Sequence, residues 1–424
     1  MSKTIDLEEM TKIEGHATLR LRVSNGTVEH CEIRALEGSR YFEGLLRDRL
    51  YSEAAEIASR ICGICSCAHT LCAYQAVENA LGVSVSVQTR QLRRLLHLGE
   101  FIRSHAAHLY FLALPDYLGM PSALAFALEQ RGAVERAITL MKLGNDIVRL
   151  IGGRDIHPVS VTVGGHLKIP RQSELDEIRE RLEALRPAAV ATAELFNSLP
   201  YPELHDSAER FSLHGDDEYA LISGSIRSAE HEFEQKDYAQ FVSEYQTPEN
   251  TANFVVREGH TYMVGALSRI ANNADQFSPE ATSLLKAGPV PKGLDNPFLI
   301  NAAQGVELVQ NFDDSLAILA KLRPEPEPVP QVRVQAGHGI AAVEAPRGVL
   351  WHEYELDESG RITRANIITP TAQNLRSMEE SLQALLPQVV NLGRDGIVGE
   401  AEKLIRAYDP CFSCAVHFLN VEWL

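Results

Sequence analysis

Two Cys-x-x-Cys pairs at opposite ends of the chain constrain the fold more than any other sequence feature. The first pair is Cys62 and Cys65, and the second is Cys411 and Cys414, in a chain of 424 residues. Four thiolates form a complete soft ligand set for one transition metal. One pair alone could be a redox motif, half of a zinc site or chance, and zinc ribbons keep their pairs within about 20 residues of each other. If these pairs share one metal, nearly the whole chain must fold before the site closes.

The composition is that of a globular protein, with 45% hydrophobic and 23% charged residues. The net charge of −17 argues against nucleic acid as a partner, because phosphates attract basic patches, and it gives no attraction to anionic lipid. Seven cysteines in this length are not a disulfide scaffold, and thiolate ligands fit a reducing compartment. The chain shows neither an apolar signal-peptide region nor a run of 18 apolar residues, so we expect no membrane insertion.

Hydrophobic spacing predicts strands near both ends of the chain. Residues 16–23 alternate apolar and polar side chains, and Asn25-Gly26 is a strong hairpin signal before a second strand through 31–35. Residues 349–369 predict another hairpin, which turns at Ser359-Gly360.

Long Ala- and Leu-rich helices are predicted between these strands, as is typical of a bundle core. They cover 88–115, 122–152, 173–197 and about 298–322, with a last helix at about 376–390. We therefore expect an α+β fold, with a long-helix bundle core, an N-terminal antiparallel sheet and a smaller C-terminal β region. We expect a single domain over 1–424, whose parts are a β-rich segment (1–50), a helical core (51–323) with a mixed, surface-facing excursion (201–260), a β region (331–370) and a C-terminal helix with the second cysteine motif (371–424).

The residues that flank the cysteines narrow the choice of site. The first pair lies in Arg60-Ile-Cys-Gly-Ile-Cys and is followed by His69; the second lies in Asp409-Pro-Cys-Phe-Ser-Cys and is followed by His417. These motifs, in this order, resemble the two signatures of the nickel-iron hydrogenase large subunit. The resemblance covers the whole chain, because blocks at 12–16, 344–348 and 369–371 also match that family. It implies the large-subunit fold and the reversible heterolytic cleavage of dihydrogen to protons and electrons.

The resemblance also implies the cofactor, a nickel-iron cluster whose iron carries one carbon monoxide and two cyanide ligands. Cys62, Cys65, Cys411 and Cys414 would bind nickel, and Cys65 and Cys414 would also bridge to the iron. From the cysteines alone, a zinc site or unrelated free thiols would be equally consistent, and the flanking blocks favour the nickel-iron cluster.

Five residues are expected around the diatomic ligands. Arg347 matches the family arginine that lies over the metals, where a guanidinium donates hydrogen bonds and keeps its charge. Thr371 matches the donor to the other cyanide, and Pro346 would supply an apolar wall. Asp116 and Asp409 are candidates to hold Arg347, and Asp409 is favoured because it belongs to the second motif. For an isolated arginine, a surface salt bridge would be the commoner role.

Glu14 is the expected proton carrier, because a carboxylate beside a thiolate ligand can accept its proton and pass it outward. The alternative is a salt bridge between Glu14 and Lys12 at the start of a strand. His69 is expected to hydrogen-bond a bridging thiolate, although a histidine on its own is more often an ordinary buried polar residue.

A second, harder metal ion is implied by the same resemblance. Glu43 matches the family glutamate that binds Mg²⁺ or Fe²⁺, together with His417 and a backbone carbonyl near Ile367; oxygen and imidazole ligands suit such an ion. An isolated Glu43 would otherwise be a solvated carboxylate.

Two features depart from the family pattern. Cys67 and Cys72 are not usual family ligands, and we expect them to be packing residues, with a redox role as the alternative. Family precursors lose a C-terminal extension after the motif histidine, and here only residues 418–424 follow it.

The sequence therefore predicts the catalytic large subunit of a cytoplasmic nickel-iron hydrogenase. The chain lacks a further cysteine set for an iron-sulfur cluster, so electrons would leave through an iron-sulfur small subunit, with further flavin or iron-sulfur subunits beyond it. The soluble acceptor would be NAD(P), F420, ferredoxin or a heterodisulfide. The alternatives are a hydrogen-sensing regulatory hydrogenase and a structural zinc-binding subunit of an electron-transfer complex. The related quinone-site subunit of respiratory complex I lacks the four cysteines, which argues against it.

Overall fold

The computed structural model describes residues 2–7, 10–24, 27–36, 38, 41–126, 130–248 and 250–416. Within these residues the helices are α1 (Phe42–Leu46), α2 (Ala54–Ala58), α3 (Ser66–Leu81), α4 (Val87–Ala107), α5 (Leu114–Tyr117), α6 (Ala123–Phe126), α7 (Arg131–Gly152), α8 (Gln172–Asn197), α9 (Ala266–Asn273), α10 (Pro279–Ala287), α11 (Ile300–Lys321), α12 (Pro370–Val389), α13 (Gly393–Ala407) and α14 (Phe412–Ala415). The strands are β1 (Ser2–Leu7), β2 (Ala17–Ser24), β3 (Thr27–Ala35), β4 (Val161–Thr162), β5 (Gly165–His166), β6 (Glu209–Arg210), β7 (Ser212–His214), β8 (Ser225–Arg227), β9 (Glu232–Phe233), β10 (Ser243–Tyr245), β11 (Phe254–Val256), β12 (Tyr262–Met263), β13 (Gly337–Ala345), β14 (Gly348–Leu356) and β15 (Ile362–Ile368).

The long helices α4, α7, α8 and α11 pack against one another and form the largest apolar core. In α7 the buried residues Leu140, Leu143, Ile147 and Ile151 recur at helical spacing, so one face of the helix is apolar. A Cβ atom at Gly144 would lie 2.6 Å from the carbonyl oxygen of Gly99 in α4, and this glycine therefore permits the close crossing of the two helices. The predicted helical core and α+β fold are confirmed.

The helix predicted over 88–115 changes its winding before it ends. After α4 the chain passes through a wide π-type turn, His108–Ala113, and then enters α5. Pro115 has no N–H group to continue a regular hydrogen-bond ladder, which accounts for the break. The prediction over 122–152 corresponds to α6 and α7, and residues 127–129 between them lie outside the described part.

The N-terminal sheet is antiparallel, in the order β1-β2-β3. Leu19 pairs with Ile33 and Leu21 with Cys31, so the apolar positions of β2 and β3 share one face. The predicted hairpin is present as these two strands, its Asn25-Gly26 turn lies outside the described residues, and β1 adds a strand that was not predicted.

The C-terminal sheet has the order β13-β14-β15, with a turn at 345–348 that carries the block around Arg347. The predicted hairpin over 349–369 corresponds to β14 and β15. Helix α3 packs on this sheet so closely that a Cβ atom at Gly339 would lie 2.0 Å from the carbonyl oxygen of Ala76. The sheet and α3 thus bring the first cysteine motif next to the turn that carries Arg347.

The segment 201–260, predicted as a mixed, surface-facing excursion, has exposed and half-buried residues and also a buried apolar face. This segment forms the short strands β6 to β11, and its aromatic and aliphatic side chains pack against β14 in a separate apolar cluster. The fully or almost fully buried members include Phe211, Leu213, Ala220 and Ile226. Their spacing is irregular because the strands are only two or three residues long, so no periodic pattern marks the buried face.

Within the described residues, no helix is both long enough and apolar enough to cross a membrane.

Candidate metal centre

The four motif cysteines converge in the interior. Their sulfur atoms all lie within 4.8 Å of one another, and each residue is buried. The Sγ atoms of Cys65 and Cys414 are 3.3 Å apart, and those of Cys62 and Cys411 are 3.4 Å apart. None of these four cysteines forms a disulfide bond. The predicted convergence of the two pairs is therefore present, across 349 residues of chain.

The first pair is held by contacts between α3 and α4. Cys65 directly precedes α3, and the buried carboxylate of Glu100 in α4 accepts hydrogen bonds from the N–H groups of Cys67 (2.7 Å) and Ala68 (3.1 Å). These N–H groups lack partners within their own helix, so the carboxylate caps the helix that follows the motif. Arg103 donates to the carbonyl oxygen of Ile64 at 2.9 Å, which fixes the loop between the two cysteines.

The second pair is held by the N-terminal segment and by α12. The N–H of Cys411 donates to the Thr371 hydroxyl oxygen at 2.9 Å, and the N–H of Phe412 donates to the Glu14 carbonyl oxygen at 3.0 Å. Asp409 has a φ of 51°, in the left-handed region, so the chain turns sharply just before Cys411.

Arg347 is aimed at the cluster by Asp409. Its Nε donates to the Asp409 carbonyl oxygen (2.6 Å), and its Nη2 donates to the Asp409 carboxylate (2.8 Å). The remaining Nη1 is buried and has no hydrogen-bond partner in the described part of the chain. Burial opposes the charge, but Asp409 and the cysteine thiols nearby hold the pKa of Arg347 well above its ordinary value. The site therefore contains a fixed cation with one donor to spare.

The thiols differ in acidity. Hydrogen bonds from Cys411 and Cys414 hold the pKa of Cys62 well below its ordinary value, whereas burial raises the pKa of both Cys411 and Cys414. A buried set of this kind holds several protons in the absence of a cation, and binding of a metal would release them.

Glu14 lies against the second pair. Its carboxylate accepts the N–H of Ser413 at 3.2 Å, and its backbone pairs with that of Cys411. Burial, and next the charge of Cys62, raises the pKa of Glu14. The alternative of a salt bridge with Lys12 is wrong, because Lys12 pairs with Asp116.

The prediction that Asp116 holds Arg347 is also wrong. The Asp116 carboxylate accepts two hydrogen bonds from Nη1 of Arg406, at 2.9 and 3.0 Å, in addition to its contact with Lys12. The wide turn before α5 directs this carboxylate to α13, which carries Arg406. Asp409, the favoured candidate, is the residue that contacts Arg347.

His69 lies one turn into α3 from Cys65, and its N–H donates to the Cys65 carbonyl oxygen at 3.2 Å. Its ring Nδ1 is 3.1 Å from Nε2 of His352, whose Nδ1 is 2.6 Å from the Tyr354 hydroxyl. The predicted hydrogen bond from His69 to a bridging thiolate stays a prediction.

The residues predicted for the second metal ion are partly brought together. The Glu43 carboxylate accepts the N–H of Ile367 at 2.9 Å, so it lies beside the backbone expected to offer a carbonyl ligand. His417 lies outside the described residues. This site therefore stays a prediction.

The two further thiols of α3 behave as packing residues. Cys67 and Cys72 are fully buried, and burial raises the pKa of each well above that of an ordinary thiol. Both are therefore protonated at neutral pH, which agrees with the packing interpretation.

Sequence reasoning missed a buried arginine behind the Arg347 turn. Arg269 in α9 is fully buried and paired with Glu307 and Glu344. An arginine in an amphipathic helix is normally exposed, so nothing in the sequence around Arg269 indicates its burial. The one sequence signal is Glu344, its partner in the structure, which belongs to the matched block at 344–348.

The residues present fit a nickel-iron cluster. Four convergent soft ligands suit nickel better than a hard cation, the spare Nη1 of Arg347 could donate to a cyanide, and Pro346 and Thr371 are buried beside them.

Comparisons with known proteins agree with this geometry. The family model described as nickel-dependent hydrogenase matches residues 40–148 and 300–417. The chain is 33% identical to the alpha subunit of sulfhydrogenase 1 from Pyrococcus furiosus, with 98% of each chain covered. It is 32% identical to a chain of the F420-non-reducing hydrogenase from Methanothermobacter thermautotrophicus, covering 99% of this chain and 95% of the relative.

Solved structures show the same fold. An NAD⁺-reducing [NiFe]-hydrogenase in its H2-reduced state superposes with a TM-score of 0.87 at 24% identity, over 98% of this chain and 99% of that one. The Ni-Fe-Se hydrogenase of D. vulgaris Hildenborough in its reduced state gives a TM-score of 0.80 at 21% identity, over 98% and 100%. With its four buried cysteines and its match along the whole chain, the protein belongs to the nickel-dependent hydrogenase family.

Proposed function

We propose that this chain is the catalytic subunit of a nickel-iron hydrogenase, which interconverts dihydrogen with protons and electrons. One observation carries the proposal: four buried sulfur atoms within 4.8 Å of one another lie beside an arginine whose buried Nη1 has no partner among the described residues. A structural zinc ion would be bound by the four sulfur atoms, but it would leave Nη1 of Arg347 without a function.

Cys62, Cys65, Cys411 and Cys414 would hold the metals. When bound, the metal pair supplies the Lewis acid that polarises the H–H bond. Arg347 contributes a fixed positive charge and a hydrogen bond to a cyanide, because Asp409 already orients its other two nitrogen atoms.

The diatomic ligands would meet two further side chains. Thr371 would donate its hydroxyl proton to the second cyanide, since its oxygen already accepts the N–H of Cys411 and its proton remains available. Pro346 would form the apolar wall next to the carbon monoxide.

Glu14 would receive the proton. This residue lies directly beside Cys411, so a proton on the Cys411 Sγ could pass to a Glu14 oxygen and then outward. Burial of this carboxylate raises its pKa and thus makes it a better base than an exposed glutamate. His69 would hydrogen-bond a bridging thiolate and so orient it.

A second metal ion, Mg²⁺ or Fe²⁺, would bind to Glu43, the Ile367 carbonyl oxygen and His417. The contact between the Glu43 carboxylate and the backbone of Ile367 supports this assignment.

Electrons would leave through an iron-sulfur small subunit, and then through further subunits to a soluble acceptor. The sulfhydrogenase relative is named as an alpha subunit, which supports a complex of several chains. Exposed apolar side chains near the first motif, Ile156 and Val159, support a partner surface there. The intervening His157 bonds to Ser59 and Ser66, so this segment is tied to the motif. We propose a cytoplasmic location, because thiolate ligands fit a reducing compartment.

The infrared spectrum of the anaerobically purified complex tests the proposal. We expect one carbonyl band and two cyanide bands, and we expect the complex to contain nickel. The matched control is Cys65→Ser, which removes a bridging ligand and should remove all three bands. Zinc in place of nickel, with none of these bands, would contradict the proposal and favour a structural metal site.

A further inference from the structure

The turn that carries Arg347 rests on a second, fully buried arginine. Arg269 donates from Nε and Nη2 to the two carboxylate oxygens of Glu307, at 2.6 and 2.8 Å, and from Nη1 to Glu344 at 2.9 Å. All three side chains have no exposed surface. Charges this deep are tolerated only when each is paired and hydrogen-bonded.

The same guanidinium also holds the backbone of the turn. Its Nη1 donates to the Ala345 carbonyl oxygen at 3.1 Å, and its Nη2 donates to the Pro346 carbonyl oxygen at 2.9 Å. With the three carboxylate contacts, all five N–H groups of Arg269 are used. Two consecutive carbonyl groups immediately before Arg347 are therefore fixed by one rigid, planar side chain.

Glu307, which binds Arg269 on the side away from the Arg347 turn, is held by the helix bundle. Glu307 in α11 also accepts the hydroxyl proton of Tyr219 and contacts Nε2 of His105 at 2.9 Å. The ring of Phe101 in α4 lies 5.1 Å from the Arg269 guanidinium carbon. Although burial opposes ionisation, Arg269 lowers the pKa of Glu307 to about 2, so the pair stays charged.

We infer that Arg269, held by Glu307, is a positioning residue that aims Arg347 at the diatomic ligands of the metal cluster. The inference rests on the proposed function. This role differs from a purely structural one, because Arg269 holds the two carbonyl groups before Arg347 and thereby sets the orientation of that side chain.

The test is Arg269→Lys. Lysine keeps the charge but presents three donors from a single point, so it cannot hold Glu307 and both carbonyl groups together. The matched control is Arg93→Lys. Arg93 is equally buried and binds both oxygens of Glu78, at 2.8 and 2.6 Å, and the Thr162 carbonyl oxygen at 3.0 Å. Glu78 lies near the end of α3 that is remote from the cysteines.

Both variants are purified as the complete complex and compared by metal content, infrared spectrum and rate of dihydrogen oxidation. We expect Arg269→Lys to keep nickel and iron, to shift the cyanide bands, and to lower the turnover rate about 10-fold or more, because small misplacements of a catalytic group are costly. Arg93→Lys should keep the wild-type bands and at least half of the rate.

Three results would overturn the inference. One is an Arg269→Lys protein with wild-type cyanide bands and rate. If the Arg269→Lys protein lacks nickel, the Glu307→Gln protein is used instead. Cyanide bands at the wild-type positions in Glu307→Gln are then the second contradicting result. The third is loss of nickel from both Arg269→Lys and Glu307→Gln while Arg93→Lys is fully loaded. That result would mean that Arg269, Glu307 and Glu344 serve only the folding of the site. Absence of all bands from the wild type would instead contradict the proposed function.

Discussion

At the scale of single residues, the site combines one fixed cation with one largely buried carboxylate. Arg347 is held on two of its nitrogen atoms by Asp409, and Glu14 reaches the sulfur cluster from the opposite end of the chain. Neither residue is needed to close the four-sulfur set. Substitutions of Arg347 or Glu14 should therefore change the rate of turnover without removing the metals.

Glu14→Gln should keep the metals and lose turnover. The amide has nearly the same shape and still accepts the N–H of Ser413, but it cannot take a proton at neutral pH. Removal of a positioned general base costs about 10²–10⁴-fold. The measurement is hydrogen evolution by the purified complex, alongside nickel content and the infrared bands. Unchanged hydrogen evolution would eliminate the proton-carrier role.

At the scale of elements, the cysteines depend on helix ends and strand turns that other elements hold. The first pair precedes the N-terminus of α3, which α4 caps through Glu100. The N-terminal sheet is tied to α12 in a similar way, because the Glu379 carboxylate accepts the N–H of Ile33 at 3.1 Å. In each contact a buried carboxylate accepts a hydrogen bond from a backbone N–H group. A substitution at each carboxylate gives a separate prediction.

Glu100→Gln should weaken the first motif. One of its two backbone contacts is lost, since an amide presents only one oxygen, and its charge no longer balances Arg103. A buried unsatisfied donor costs about 1–3 kcal/mol, so we expect a lower thermal midpoint and at most half of the wild-type nickel content. The control is Glu174→Gln, because Glu174 accepts a backbone N–H at the exposed start of α8. Equal nickel content in the two variants would contradict the prediction.

Glu379→Gln should flatten the pH dependence of stability. Burial raises the pKa of Glu379 to about 7, so between its unfolded value and pH 7 the native state binds more protons than the unfolded state. The free energy of unfolding then falls as pH rises through that window, by up to about 3 kcal/mol. Glutamine has no proton to lose and should remove this fall.

Thermal midpoints from pH 5 to pH 8 provide the measurement for Glu379. The neighbouring Glu380→Gln is the control, since Glu380 is partly exposed and pairs with Arg376 at the helix surface. If the wild-type midpoint rises over this range more than that of Glu379→Gln, the prediction has the wrong sign.

At the scale of the whole molecule, one metal site joins the two ends of the chain. The sulfur pairs link positions 349 residues apart, and between them lie the long helices of the bundle and the C-terminal sheet. Metal binding to the native state alone stabilises it, because the unfolded chain does not present the four thiolates together.

The metal-loaded complex should therefore unfold at a midpoint about 5 °C or more above that of the metal-free protein. Cys414→Ser should lose this difference because it lacks one of the four clustered thiols, whereas Cys31→Ala, in the N-terminal sheet, should retain it. Differential scanning calorimetry of loaded and metal-free protein is the measurement. Equal midpoints for the two wild-type forms would mean that the fold closes without help from the metal.

Much of the architecture was predictable because it depends on local pattern. The long helices follow from apolar residues at helical spacing, and β2 and β3 follow from alternation. The strand β1 was missed, and so was the buried face of 201–260, where strands of two or three residues carry too few positions to show a period. The cysteine cluster was predictable because its motifs are short, contiguous runs.

The sequence by itself determined the candidate residues of the site, since the four cysteines, Glu14 and Arg347 lie in short motifs that are recognisable along the chain. The tertiary structure alone decided how the charges pair. Asp116 reaches Arg406 across 290 residues, and Arg269 reaches Glu344 across 75. Such pairs have no period and no local signal, because they form only when packed helices bring distant side chains within a few ångströms and exclude water around them.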